Sequence, residues 1–242
     1  MNHVAVVATQ NGALADAVAR DPRAPVAKYP NWSTADLGRH VGTIHRWATT
    51  LVETRATERL PKPDLPPVAD DDVAQWLVEG CDRLVTVLAA TAPTEPMWTF
   101  ASGHDTAAFW RRRMAAETTL HRWDAQDAVG QPDPVPDDFA VEAVAEALEI
   151  YLHPHFPGVA SDDGGHHVHL VAGDTTWALR MDAAGLVADT TASAPDVALH
   201  AGPSDMWLFL VGRVPLEDLR VVGDGEVATL FADEIASQSG PG

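Results

Sequence analysis

Glu117 and His121 stand four residues apart in the run Arg111–Gly130, RRRMAAETTLHRWDAQDAVG, which no proline or glycine interrupts before its end. Four residues is just over one helical turn, so both side chains leave the same face, one above the other. A carboxylate oxygen and an imidazole nitrogen on adjacent turns can close on one divalent cation, since both are good zinc ligands. The same spacing also fits a surface Glu/His pair on a solvated helix, so the pair acquires meaning only with a further ligand.

That ligand is offered upstream by DLGRHVGTIHRW, which carries His40 and His45. Five residues correspond to about 500° of helical rotation, so the two rings diverge by about 140° and cannot easily share one metal. His40 follows Asp36 by four residues and lies beside the apolar stripe Leu37, Val41, Ile44 and Ala48. Taken alone it reads as a satisfied core histidine. With ExxxH on a neighbouring helix it becomes the third vertex of a His–Glu–His site, and bundles build metal sites from such inward side chains. Three protein ligands leave a position open, as catalytic zinc sites do. Asp124, one turn beyond His121, reads either as a group orienting that ligand or as a plain surface carboxylate.

Other candidates carry less. HHVH, with His166, His167 and His169, opens a strand; alternation sends His167 and His169 to one face, where two histidines without a third ligand suit a solvated loop or edge. His153 and His155 flank a proline and read as turn residues. GDGEV at 223–227 lacks the lysine and spacing of a phosphate loop and reads as a turn before a helix. The tryptophans, including Trp47, Trp110 and Trp123, suit core and cleft lining.

These residues need helices to hold them. ALADAVARD reads as a first helix, with VAVVATQNG ahead of it as a candidate earlier start. RAPVAKYPNW is a connector with two prolines. Ser33 or Thr34 caps a second helix, with Asp36 favourable near its positive end, and the helix is expected to run to about Leu60 before Pro61. A proline-rich loop at 61–70 leads to a third helix over 71–92, whose buried side is Val73, Trp76, Leu77, Leu84 and Leu88. The fourth spans 106–129, and four helices with long connections suit an antiparallel four-helix bundle. A further helix over 136–152 packs against the bundle or bridges onward. After residue 160 short β-rich runs alternate with Gly/Asp/Pro turns, as in an antiparallel sheet, followed by helices near 203–211 and after 225. The expected fold is therefore α+β with two domains, 1–157 helical and 158–236 a small α+β domain. A disordered tail at 237–242 is expected.

Composition narrows the partners. With 46% hydrophobic and 21% charged residues the chain can bury a substantial core. A net charge of −19, with only 16 Lys and Arg, argues against nucleic acid and against anionic membranes. The N-terminus lacks a signal-peptide pattern and no apolar run approaches the ~18 residues of a membrane span, so a cytoplasmic protein, monomer or homodimer, is expected. Cys81 is the only cysteine, which excludes an intramolecular disulfide and suits a buried, inert thiol.

WSTADLGRHVGTIHRW together with AAETTLHRWDAQDAVG resembles the DinB/YfiT-like metal-binding bundle of the mycothiol-dependent maleylpyruvate isomerase-like proteins. The resemblance covers the whole chain: a DinB-like four-helix bundle over about 5–155, and a sterol-carrier-protein-like α+β domain over about 165–236. It implies His40, eight residues after Trp32, as first ligand, with Glu117 and His121 as the others and Asp124 following. It implies zinc or another divalent metal, with mycothiol as thiol cosubstrate held as thiolate. That thiolate would either add to a conjugated cis double bond for isomerisation, or attack a small electrophile as in an S-transferase. The resemblance also implies an arginine of the C-terminal domain that holds an anionic substrate, for which Arg213 in WLFLVGR is the best positional match among several. A non-catalytic small-molecule binder with a structural metal is the alternative from another class.

Overall fold

The computed structural model describes residues 1–130, 132–156, 165–189 and 194–238. Two compact units divide it, Met1–Asp133 and Pro134–Gly242, a division upstream of the expected boundary near 157.

The first unit is built from α1 (His3–Arg20), α2 (Thr34–Thr54), α3 (Val73–Ala90) and α4 (Ala107–Ala128). Helix α1 takes up the earlier start, since the Asn2 side chain caps it by accepting from the Ala5 amide at 3.2 Å. Each helix packs chiefly on two others: α1 lies against α3 and α4, and α2 against the same two. Helices α2 and α4, which carry the candidate ligands, are thus neighbours. The shared core includes Leu14, Val18, Leu37, Val41, Leu77 and Ala125, all fully buried. A second cluster stacks Trp47 edge-on against Trp110 at 5.5 Å, with the Trp110 indole donating to the Trp98 carbonyl at 2.9 Å.

Helix α2 begins as its sequence signals. Ser33 and Asp36 form a reciprocal capping box, with the Asp36 amide 3.1 Å from Ser33 Oγ and the Ser33 amide 3.0 Å from Asp36 Oδ2. It ends earlier than expected. Arg55 adopts the left-handed conformation (φ 47°, ψ 49°) and stops the helix six residues before Pro61. Two glycines let α3 approach closely. A Cβ on Gly42 would meet the Trp76 ring at 2.1–2.8 Å, and the Arg46 guanidinium lies over that ring, 3.7 Å from its centroid, and holds it in place.

The second unit opens with α5 (Asp137–Glu146), which continues as a π-helical turn, Ala147–Leu152, and a last short turn, α6 (His153–His155). The sheet has the order β3-β2-β1-β4-β5, with β1 (His166–Ala172), β2 (Thr175–Asp182), β3 (Gly185–Ala188), β4 (Val197–Ala201) and β5 (Arg220–Gly223). Three pairings are antiparallel, and β1 and β4 run parallel. His166, His167 and His169 therefore lie on the central strand, not at an edge. Val168 and Leu170 are fully buried on one face while His167 and His169 take the other, half-buried. Helices α7 (Pro203–Leu210) and α8 (Gly225–Gln238) complete the unit, with Phe139 of α5 edge-on to Trp207 at 6.2 Å. GDGEV is the turn expected: Asp224 accepts from the Glu226 amide at 2.8 Å and caps α8 with its own side chain. Residues 239–242 of the expected tail lie outside the described residues, whereas 237 and 238 continue α8. No helix among the described residues is long and apolar enough to cross a membrane.

Gly42 yields a sign test. Glycine to alanine inside a helix normally stabilises by up to about 1 kcal/mol. Here the added methyl must displace a pinned indole, so Gly42→Ala is expected to destabilise by about 1–3 kcal/mol, as overpacking does. A thermal unfolding midpoint equal to or above wild type would contradict the packing described.

Candidate metal centre

Helices α2 and α4 bring His40, Glu117 and His121 together. His40 Nε2 and His121 Nε2 each lie 3.3 Å from the same oxygen, Glu117 Oε1. One donor atom from each residue falls within 4.8 Å of the other two, and among the described residues this is the one group of three that could hold a metal ion. The imidazoles meet edge-on, 5.2 Å between centroids. Their burial is graded: the His121 side chain is 4% exposed, Glu117 17% and His40 22%, so His40 is the most accessible of the three.

Further side chains fix these three. Asp124 Oδ2 accepts from His121 Nδ1 at 2.9 Å, and both groups are buried. With Nδ1 committed to Asp124, Nε2 is the nitrogen turned toward the cluster and the one that would bind a metal on losing its own proton, the arrangement by which carboxylates orient metal-binding histidines. Arg113, one turn before Glu117 on α4, places Nη2 3.2 Å from Glu117 Oε2. The connector at 21–33 is not a slack linker. Val26 and Trp32 pair through the Val26 amide and Trp32 carbonyl at 3.0 Å, and the Thr34 amide reaches the Ala24 carbonyl at 3.0 Å. This tight loop sets Trp32 5.2 Å from the His40 ring and Tyr29 6.1 Å from His121, with Tyr29 and Trp32 stacked on each other at 4.7 Å.

His45 stays apart, as its rotation predicts. It is fully buried, and its Nε2 lies 2.9 Å from Thr118 Oγ1. The Thr118 hydroxyl donates to the Met114 carbonyl at 2.6 Å, so His45 is the donor in that pair. Arg213 belongs to the second unit, just after α7, where its Nη1 donates to the Val211 carbonyl at 2.7 Å. Cys81 is buried on α3.

Electrostatics follow from the geometry. Burial works to raise the Glu117 pKa, but the His121 charge, hydrogen bonds from His121 and His40, and Arg113 outweigh it and hold the carboxyl well below its usual range. For His121, burial works downward, yet the Glu117 charge and the bond to Asp124 prevail and raise it to about 9. For His45, burial outweighs the upward pull of the Glu117 charge, Arg46 and His121 add to the downward shift, and the pKa is lowered to about 4.

Arg113 and Tyr29 are the residues sequence reasoning passed over. The first carries a readable signal, since it precedes Glu117 by four residues as Glu117 precedes His121. Tyr29 carries none, because its position depends on the folding of the connector.

The comparisons with known proteins agree with this architecture. The sequence model of the mycothiol maleylpyruvate isomerase N-terminal domain matches residues 5–126, half of the chain. No curated protein matches. Two solved structures, of a mycothiol-dependent maleylpyruvate isomerase and of a histidine-to-alanine mutant of it, share the fold with a TM-score of 0.62 at 13% identity. Each alignment covers 90% of this chain and 91% of the other.

The titrations can be read directly. In protein freed of metal by a chelator, proton NMR should show one imidazole still protonated until about pH 9 and another neutral down to about pH 4. Linkage gives the stability a maximum between them. The His121 contribution is complete below 6.5 and is lost as pH rises through about 9, whereas the His45 contribution is lost as pH falls from 6.5 through about 4. Histidine signals that all titrate near 6.5 would contradict the buried network.

Proposed function

The chain belongs to the mycothiol maleylpyruvate isomerase family, and from that premise we propose a metal-dependent enzyme that turns the thiol of mycothiol on a small electrophile. The observation that carries this reading is the convergence of His40, Glu117 and His121 donor atoms within 4.8 Å. Their chemistry fits zinc. Ligands about 2.0–2.2 Å from a tetrahedral ion stand about 3.3–3.6 Å apart, and the two nitrogens already lie 3.3 Å from Glu117 Oε1.

A zinc ion held there would keep a thiol ionised at neutral pH, which supplies the nucleophile. The side chains do the remainder. His40, Glu117 and His121 provide three donors and leave a position open to the thiol. Asp124 holds the His121 ring in one tautomer. Tyr29 and Trp32 wall the imidazoles and limit water. Arg213 is proposed to pair with an anionic substrate, since a guanidinium binds carboxylates in bidentate fashion.

The reaction proposed is a cis–trans isomerisation. Thiolate adds to the conjugated cis double bond, the resulting single bond rotates, and expulsion of the thiolate restores the double bond in the trans form. The thiol is regenerated, so nothing is consumed. Cys81 has no part in this: burial, with Asp82 nearby, pushes its thiol up to about 12, and it stays protonated.

The direct test incubates the zinc-loaded protein with mycothiol and maleylpyruvate and follows the double bond and the free thiol. Product formed without loss of thiol supports isomerisation; thiol consumed in step with product replaces it with S-transfer. His121→Ala should lose most bound zinc and activity with helicity retained by circular dichroism, and full zinc occupancy in that variant would refute the ligand set. Cys81→Ser should keep activity near wild type, and its loss would refute an exogenous thiol as nucleophile.

A further inference from the structure

Arg113 is a buried cation whose role the reaction above does not require. Its side chain is 7% exposed, and its Nη2 lies 3.2 Å from Glu117 Oε2. The other oxygen of the same carboxylate, Oε1, faces both imidazoles at 3.3 Å. The carboxylate is thus divided, one oxygen to the arginine and one to the metal-ligand cluster. We propose that Arg113 is a positioning residue that reserves Oε2, so that Glu117 gives a metal ion a single oxygen.

This inference rests on the metal reading of the site and deepens it. A carboxylate can bind a cation through one oxygen or through both. Were Glu117 free to offer both, its second oxygen would take the position that a catalytic centre must leave for its ligand. A charge-assisted hydrogen bond from a guanidinium is strong enough to compete for that oxygen, and arginine stays charged at any working pH. Clamp and ligand also share one helix, at i and i+4, so their spacing does not depend on a loop. Removing one partner of a buried ion pair leaves the other charge uncompensated. The freed Oε2 would then turn to the strongest remaining cation, the metal.

The test uses the full chain loaded with cobalt(II), whose visible ligand-field absorption is intense at four-coordinate sites and weak at higher coordination. Wild type should show the intense form. Arg113→Met should lose absorption several-fold and bind mycothiol about tenfold more weakly, the lower end of outer-shell losses. Arg113→Lys, which keeps a cation within reach of Oε2, should restore both. An Arg113→Met protein with wild-type spectrum and thiol affinity overturns the proposal, as do Met and Lys variants altered alike, which would mean packing alone. A crystal structure of the zinc-loaded wild type needs no variant to fold: Oε2 on Arg113 supports the proposal, and both oxygens on zinc overturn it. Failure of the metal reading itself is separable, because wild type would then bind no cobalt at all.

Discussion

The Glu117 carboxylate is the group on which the first unit depends. An ionised carboxylate inside a helical bundle is costly unless each oxygen is paired. Here Oε1 is met by two imidazoles and Oε2 by a guanidinium. The pairing extends along one face of α4 as Arg113, Glu117, His121 and Asp124, cation and anion in alternation at steps of four, four and three. Each member offsets the desolvation of its neighbour, and the ends of the row are themselves buried. This explains why α4 is buried yet lacks the apolar stripe of an ordinary bundle helix. Its interior positions include Thr118, Thr119 and Arg122 besides the row.

The rest of the bundle is arranged so that this row meets α2 at the correct height. The capping box fixes where α2 begins and hence the turn on which His40 sits. Gly38 and Gly42 let α3 close on α2, with Val73 and Trp76 filling the space a side chain would need. The folded connector before α2 then lays Tyr29 and Trp32 against the imidazoles. Helices supply the donors and a loop supplies the wall. That division suits a site that must be precise at its ligands and can vary around them.

Much of this was legible in the residues. The apolar periods placed the four helices, Ser33 or Thr34 with Asp36 marked the α2 start, and ExxxH and His40 singled out residues that α2 and α4 bring together. The rotation between His40 and His45 separates their roles in the sequence itself. What escaped has physical reasons. The end of α2 rests on one left-handed arginine, a conformation to which arginine sequence gives no clue. Strand β1 became central through a parallel pairing with β4, a long-range choice that alternation within a strand does not encode. The π-helical turn after α5 keeps a helical pattern in sequence while shifting its hydrogen bonds. Arg113 hid because a buried arginine reads as a surface residue until its carboxylate is seen.

His45 accounts for the number of donors. A third imidazole beside Glu117 and His121 could close the coordination of a metal and turn an open centre into a structural one. Its charge interactions with both residues place it near enough for the question to arise. Two constraints divert it. The five-residue step from His40 turns its ring away, and Thr118, immediately after Glu117, engages its Nε2 from the same helix that carries the ligands. Thr118 spends its own proton on the Met114 carbonyl and so can only accept, which commits His45 to donate. An imidazole whose Nε2 proton is committed to a hydroxyl, and whose protonation is suppressed by burial, is neither a ligand through that nitrogen nor an added charge. The neighbouring threonine thus withholds the His45 Nε2 from the cluster.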